Sequence, residues 1–213
     1  MHRVFALILA FAFFLIYPPW APSSLSVYLS LLLLFVGLFL SNRNLKKAAK
    51  DFGMLPPFDF AKVLMLGAAA SIFCFTSAFA ISTIFSFLGI LDSGKVIQKI
   101  EQLPASVLVF SFTIAPIAEE VFFRGFLLHK LSLLLKGKFS FVSASLLSSM
   151  IFSVVHLSYG SVAQFAVAFL VGLILCATVR ISGTLLPAIL AHAIFNFSSV
   201  ALFVLCKAGY CQF

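Results

Sequence analysis

Two adjacent glutamates and one arginine, Glu119, Glu120 and Arg124, lie in the middle of a strongly apolar chain. The whole protein has only 6 acidic residues, and two of them are these neighbours. A charge at the centre of a bilayer costs about 2.5–3.5 kcal/mol on insertion scales, so it needs a partner or a function. Glu120 and Arg124 are four residues apart and can form an ion pair on one helix face. Glu119 points about 100° away around the same helix.

Three further polar residues, His156, His192 and Asn196, also lie in apolar surroundings. His192 and Asn196 are four residues apart and therefore project from one helix face. Glu119 is 18 residues before Gly137, and His156 is 19 residues after it. In an antiparallel helical hairpin that turns at Gly137, Glu119 and His156 lie at nearly the same height. We therefore predict one buried polar site, because buried ionisable groups in membranes are most often functional.

Two hydrolytic schemes fit these residue types. In the first, Glu119 and His156 hold a water molecule and take its proton, while His192 and Asn196 stabilise the oxyanion that forms. In the second, Glu119, His156 and His192 bind a zinc ion that activates the water. Both schemes lead to amide hydrolysis. A serine nucleophile is disfavoured because no Gly-x-Ser-x-Gly motif is present.

Composition places the chain among integral membrane proteins. Of its 213 residues, 63% are hydrophobic and 9% are charged, whereas soluble domains carry about 25% charged residues. Repeated apolar runs long enough to cross a bilayer are typical of transmembrane helices. We predict an all-α, polytopic helical bundle and a single membrane domain over 1–213. It has about seven helices, at 4–17, 25–40, 62–88, 104–135, 139–157, 162–179 and 185–205.

Two places in this bundle are expected to be irregular. Pro116, just before Glu119, is expected to break or bend the fourth helix. His192 is about ten residues past Gly183, so it reaches the site only if the Gly183–Pro187 segment dips inward as irregular backbone. Such backbone is tolerated at membrane depth only when protein covers it or when it faces water.

The net charge of +8 is best explained by membrane topology. No long basic run or soluble domain is present to bind nucleic acid, which excludes that class of partner. With the N-terminus in the cytoplasm, ten basic residues fall on the cytoplasmic side and three on the other, as the positive-inside rule requires. The three are Lys95, Lys99 and Lys207.

The polar residues resemble a known family pattern. Glu119-Glu120-x-x-x-Arg124, Phe152-x-x-x-His156 and His192-x-x-x-Asn196 are similar, in this order, to the motifs of the CPBP intramembrane protease family. That family is also called the Abi or type II CAAX prenyl protease family. The resemblance covers roughly 104–196, so 104–213 is interpreted as a CPBP-like catalytic core and 1–103 as N-terminal helices.

The resemblance implies an integral membrane endopeptidase that cuts a membrane-anchored protein or peptide. In its terms Glu119 and His156 activate water, His192 and Asn196 stabilise the oxyanion, and Glu120 and Arg124 support the site. The family is filed among metalloproteases, yet a metal-free glutamate mechanism is also argued for it, so both remain open here. Its bacterial members are linked to bacteriocin self-immunity and protein maturation, and a prokaryotic cell membrane is expected.

Two rival interpretations belong to other functional classes. One is a small proton-coupled transporter or channel, whose buried Glu and His side chains relay protons. The other is a non-catalytic immunity or scaffold protein that keeps these residues for packing. We favour a protease because three separate polar sets are predicted to converge at one place, whereas a pore needs only a line of polar groups.

Overall fold

The computed structural model describes residues 44–210, together with Leu32 and Val36, and this part of the chain is helical without strands. Its α-helices are α1 (Leu45–Asp51), α2 (Phe60–Phe87), α3 (Ser93–Glu101), α4 (Ala105–Glu120), α5 (His129–Leu135), α6 (Ser140–Val155), α7 (Val162–Ser182) and α8 (Leu186–Lys207). A π-helix, Val121–Leu128, joins α4 to α5, and a 3₁₀ turn, His156–Tyr159, follows α6.

Four stretches of the described chain are long and apolar enough to cross a membrane: Phe60–Phe87, Ala105–Leu135, Val162–Ser182 and Leu186–Lys207. The helix Ser140–His156 is apolar but shorter. The predicted class, a helical membrane bundle, is therefore confirmed. The first two predicted helices, at 4–17 and 25–40, lie outside the described residues apart from Leu32 and Val36, which are helical.

Local sequence signals determine where several helices begin and end. The side chains of Asn44, Asp59 and Ser161 accept hydrogen bonds from backbone N–H groups three residues ahead, and so cap α1, α2 and α7. Such caps pair N–H groups that a helix start otherwise leaves free. Gly160 and Gly183 have left-handed backbone conformations at helix ends, which glycine adopts without a steric penalty.

The bundle is built around contacts that α7 and α8 make with their neighbours. α8 packs against α2 and α4, while α7 packs against α2 and α6. Small side chains such as Ala70, Ala188 and Ala191 lie where α2, α7 and α8 meet, which lets the helix backbones approach closely. A second cluster, rich in phenylalanine, joins the π-helix to α6 and includes Phe123, Phe126 and Phe152.

The irregularity predicted at Pro116 lies elsewhere. α4 continues as an α-helix through Pro116, and the departure from α geometry begins five residues later, at Val121. Pro116 has no N–H, so the Phe112 carbonyl loses its helical partner. The neighbouring carbonyl of Ser111 accepts a bond from the Asn196 side chain, 2.8 Å away on α8.

The turn between α7 and α8 is partly covered by protein. Leu185 is 2% exposed, and its backbone N–H donates to the Phe52 carbonyl at 3.0 Å. Gly53 follows Phe52 in the same loop. A Cβ on Gly53 would lie 2.6 Å from the Thr184 side chain, so this position leaves no space for a side chain. The loop after α1 therefore packs against this turn and covers Leu185, whereas Gly183 is exposed.

Candidate active site

The predicted ion pair between Glu120 and Arg124 is present and completely buried. Arg124 Nη1 lies 2.8 Å from Glu120 Oε1, and both side chains are 0% exposed. Arg124 Nη2 donates a second hydrogen bond, 3.2 Å long, to the Gly172 carbonyl of α7. Gly172 also lets α7 pack closely on α6, because a Cβ at its position would lie 2.8 Å from the Ser149 side chain. The pair thus joins the π-helix to α7.

The π-helix supplies the apolar wall around this pair. All eight residues of Val121–Leu128 are buried. A π-helix has one more residue per hydrogen-bonded turn than an α-helix and is often found at functional sites. Phe123 and Phe152 both place their rings beside the Arg124 guanidinium, with centroids 5.9 and 4.5 Å from its central carbon. These cation–π contacts partly offset the free-energy cost of removing the Arg124 guanidinium from water.

His192 of α8 lies between the two glutamates. Its Nδ1 is 2.9 Å from Glu120 Oε1, and its Nε2 is 3.8 Å from Glu119 Oε2. Because the ionised Glu120 carboxylate accepts hydrogen bonds and cannot donate them, Nδ1 carries the proton in this contact. Nε2 is then the atom of His192 that faces Glu119 and is available for chemistry. A carboxylate that orients an imidazole in this way is common in enzyme sites.

Glu119 is the more accessible of the two carboxylates. Its side chain is 20% exposed, whereas that of Glu120 is 0% exposed. Glu119 Oε2 is nevertheless buried and has no hydrogen-bond partner within the described part of the chain. An unpaired buried carboxylate oxygen is costly unless something binds it. This oxygen is therefore the best placed atom of the site to accept a proton from a bound molecule.

His156 approaches the same region from the end of α6. Its Nδ1 is 2.8 Å from the Phe152 carbonyl, so Nδ1 donates and Nε2 keeps its lone pair. The Phe152 ring lies 4.6 Å from the His156 ring and 5.8 Å from the His192 ring, measured between centroids. Phe152 thus separates the two histidines that the sequence pattern selects.

Asn196 lies one turn after His192, but its amide is already engaged. Its Nδ2 donates to the Ser111 carbonyl of α4 at 2.8 Å. A side-chain amide has two N–H donors, so one remains for another acceptor. Asn196 therefore fastens α8 to α4 in addition to any role in binding a substrate.

A divalent metal ion was one of the two chemical alternatives for Glu119, His156 and His192. The donor types suit zinc, because carboxylate oxygens and imidazole nitrogens are common zinc ligands. Among the described residues, however, no three His, Cys, Asp or Glu side chains are arranged to hold one metal ion. The side chains do not fit a metal as they stand, and no step proposed below uses one.

Two residues at the site were not selected by sequence reasoning. Gly172 receives Arg124 through its carbonyl, and Tyr159 stacks on the His156 ring with centroids 6.1 Å apart. A lone glycine in an apolar helix and a tyrosine in a turn carry little signal by themselves. Only the spacing of Tyr159, three residues after His156, indicates that the two rings can meet.

Comparison with known proteins agrees with the motif pattern. Residues 101–198 match a family model described as Type II CAAX prenyl endopeptidase Rce1-like. The matched segment contains all six residues that the sequence pattern assigns to the site. No curated protein and no solved structure matches the chain.

Proposed function

We propose that this membrane protein is an intramembrane endopeptidase, because residues 101–198 match the model of the Rce1-like type II CAAX prenyl endopeptidases. It hydrolyses a peptide bond in a membrane-associated protein or peptide. The observation that carries the proposal is the contact between Glu119 Oε2 and His192 Nε2, at 3.8 Å, beside a buried ion pair. A carboxylate and an imidazole at this distance can share one reacting molecule between them.

Glu119 acts as the general base. It takes a proton from a water molecule while the water oxygen attacks the carbonyl carbon, so that a C–O bond forms and charge moves onto the carbonyl oxygen. His156 Nε2 accepts the second hydrogen bond of this water. The proton then passes from Glu119 to the amide nitrogen as the C–N bond breaks, which releases an amine and a carboxylic acid.

His192 and the free N–H of Asn196 stabilise the oxyanion. Nε2 of His192 can donate to the developing negative charge when it carries a proton.

Glu120 is a positioning residue for His192. Its Oε1 accepts from both Arg124 and His192, at 2.8 and 2.9 Å. This arrangement holds the imidazole with Nε2 turned towards Glu119. We assign Glu120 and Arg124 to support of the site, and Glu119, His156, His192 and Asn196 to the reaction.

Purified protein incubated with a library of membrane-anchored peptides tests the assignment. We expect the wild type to cleave, and Glu119→Gln and His156→Ala to lose about 100-fold or more of the rate, since a general base contributes about 10²–10⁴-fold. Asp59→Asn, at an exposed helix cap, serves as the matched control and is expected to cleave like the wild type. If Glu119→Gln and His156→Ala also cleave like the wild type, the proposal fails.

The same assay run with a chelator decides between the two forms of the reaction. A metal-free glutamate mechanism predicts an unchanged rate. A loss that zinc restores, with the fold intact in the chelator, would show that the enzyme uses a metal.

The rival proton-coupled transporter makes the opposite prediction for the same variant. It requires that Glu119→Gln abolishes coupled flux in liposomes while no peptide is cut by any form of the protein.

For the protease we propose a prokaryotic cell membrane with the N-terminus in the cytoplasm, and a role in protein maturation or bacteriocin self-immunity.

A further inference from the structure

The short helix α3 is tied across one end of the bundle by polar contacts. At its start, Asp92 accepts hydrogen bonds from Ser161 Oγ at 2.6 Å and from the backbone N–H groups of Val162 and Ala163 at 2.8 and 3.3 Å. At its end, Glu101 lies 3.8 Å from Lys207 of α8. α3 therefore connects the start of α7 with the end of α8 and passes over the turn that follows His156.

The last turn of α3 contacts that turn directly. Lys99 Nζ lies 5.7 Å from the centroid of the Tyr159 ring, within the range of a cation–π interaction. Burial lowers the pKa of Lys99 from its ordinary value, which indicates that its ammonium group is partly withdrawn from water. A cation–π contact is stronger when the cation has lost part of its hydration.

Tyr159 in turn contacts His156. The two rings are nearly parallel, with an interplanar angle of 16° and centroids 6.1 Å apart. Phe152 contacts the His156 ring as well, with centroids 4.6 Å apart, and its carbonyl holds Nδ1. Aromatic contacts at these distances contribute beyond the area they bury and restrict ring orientation.

We propose that Tyr159 and Lys99 are positioning residues that hold the His156 ring, so that α3 sets the geometry of the catalytic histidine. The consequence for cleavage rests on the proposed function. Phe152 and Tyr159 both contact the His156 ring. Lys99 holds Tyr159, and the hydrogen bonds that Asp92 accepts hold the start of α3.

The cleavage assay tests the proposal with variants that remove the Tyr159 ring, the Lys99 charge, or a charge elsewhere on α3. We expect Tyr159→Leu and Lys99→Met to lower kcat by about 2- to 30-fold with KM unchanged, the range that a cation–π contact spans. Tyr159→Phe keeps the ring and Lys99→Arg keeps the cation, so both are expected to stay near the wild-type kcat. Lys95→Met removes the same charge from α3 without touching Tyr159 and serves as the matched control.

A spectroscopic measurement tests the contact without any cleavage. In protein labelled with ¹⁵N-histidine, the ring signal of His156 is identified by its disappearance in His156→Ala. We expect both Lys99→Met and Tyr159→Leu to move this signal, because each variant changes the orientation of the His156 ring or the ring current it experiences. Lys99 lies outside the bundle core, so its replacement is not expected to disturb the fold. Lys95→Met is expected to leave it in place.

The two measurements separate this inference from the proposed function. An unmoved His156 signal with unchanged kcat in Lys99→Met and Tyr159→Leu would overturn the positioning role. An equal loss of kcat in Lys95→Met would also overturn it, because the effect would then come from charge alone. Movement of the signal in a protein whose wild type cuts no peptide would support the contact and overturn the proposed function instead.

Discussion

At the scale of single residues, the site depends on how a buried carboxylate is satisfied. Glu120 Oε1 receives both the Arg124 guanidinium and the His192 imidazole, while Glu120 Oε2 and Arg124 Nε have no hydrogen-bond partner within the described residues. A buried ion pair adds little net stability compared with apolar side chains, but removing one partner leaves an uncompensated charge. Glu120 and Arg124 are therefore expected to tolerate joint replacement far better than single replacement.

A double-mutant cycle on this pair measures that asymmetry. We expect Arg124→Met alone to lower the free energy of unfolding by about 3–5 kcal/mol, because the Glu120 carboxylate stays buried without its partner. The joint variant Glu120→Gln with Arg124→Met is expected to be more stable than Arg124→Met alone. The free energies are measured by denaturant titration of the detergent-solubilised protein. Additive losses would show that the two side chains are energetically independent.

At the scale of elements, α3 is held in place by hydrogen bonds between Asp92 and residues that lie far from it in the sequence. The three hydrogen bonds that Asp92 accepts come from Ser161, Val162 and Ala163, so Asp92 caps the start of α7 from the loop before α3. These bonds, led by the one from Ser161, lower the pKa of Asp92 from its ordinary value of 3.8. A carboxyl with a lowered pKa stabilises the folded state while it is ionised.

The sign of the pH dependence follows from this shift. The contribution of Asp92 is fully present above its ordinary pKa of 3.8 and is lost as the pH falls through the lower pKa of the folded state. We therefore expect Asp92→Asn to be less stable than the wild type at about pH 7, with a difference that shrinks below about pH 4. Thermal unfolding across this pH range measures it.

Glu101→Gln is the control for that experiment. Its pair with Lys207 is exposed, and exposed pairs contribute only about 0–1 kcal/mol. The role of the Asp92 carboxylate would be contradicted if the difference in unfolding temperature between the wild type and Asp92→Asn stayed constant down to about pH 2.

At the scale of the whole molecule, the charge distribution predicts which end of the bundle faces the cytoplasm. Helix α1, which contains Lys46 and Lys47, and the turn at Lys136 lie at the basic end. α3 lies at the opposite end, with the Asp92 and Lys99 contacts. By the positive-inside rule we expect the basic end to be cytoplasmic and the α3 contacts to lie on the outer side of the membrane.

Cysteine accessibility in intact cells checks this orientation. We expect a membrane-impermeant maleimide to label Lys95→Cys, whose side chain is exposed on α3, and to label Lys47→Cys only after the cells are opened. The native background is low because Cys74 and Cys176 are buried and Cys206 is disulfide-bonded. Labelling of Lys47→Cys in intact cells would reverse the orientation.

Local periodicity determined much of what the sequence alone could predict. The apolar composition determined the helical membrane class, and the four-residue spacing of Glu120 and Arg124 determined their ion pair, because both depend only on helix geometry and the cost of burying charge. The motif spacing also selected Glu119, His156, His192 and Asn196 as one set, which stays a prediction for the reaction itself.

The tertiary structure decided how these residues meet. It placed His192 between the two glutamates, engaged Asn196 with Ser111 on α4, and moved the irregular helix from Pro116 to Val121–Leu128. It also brought α3 over the turn after His156. These contacts join residues far apart in the chain, and they depend on how whole helices pack. No short-range spacing contains that information, so packing alone determined the final geometry of the site.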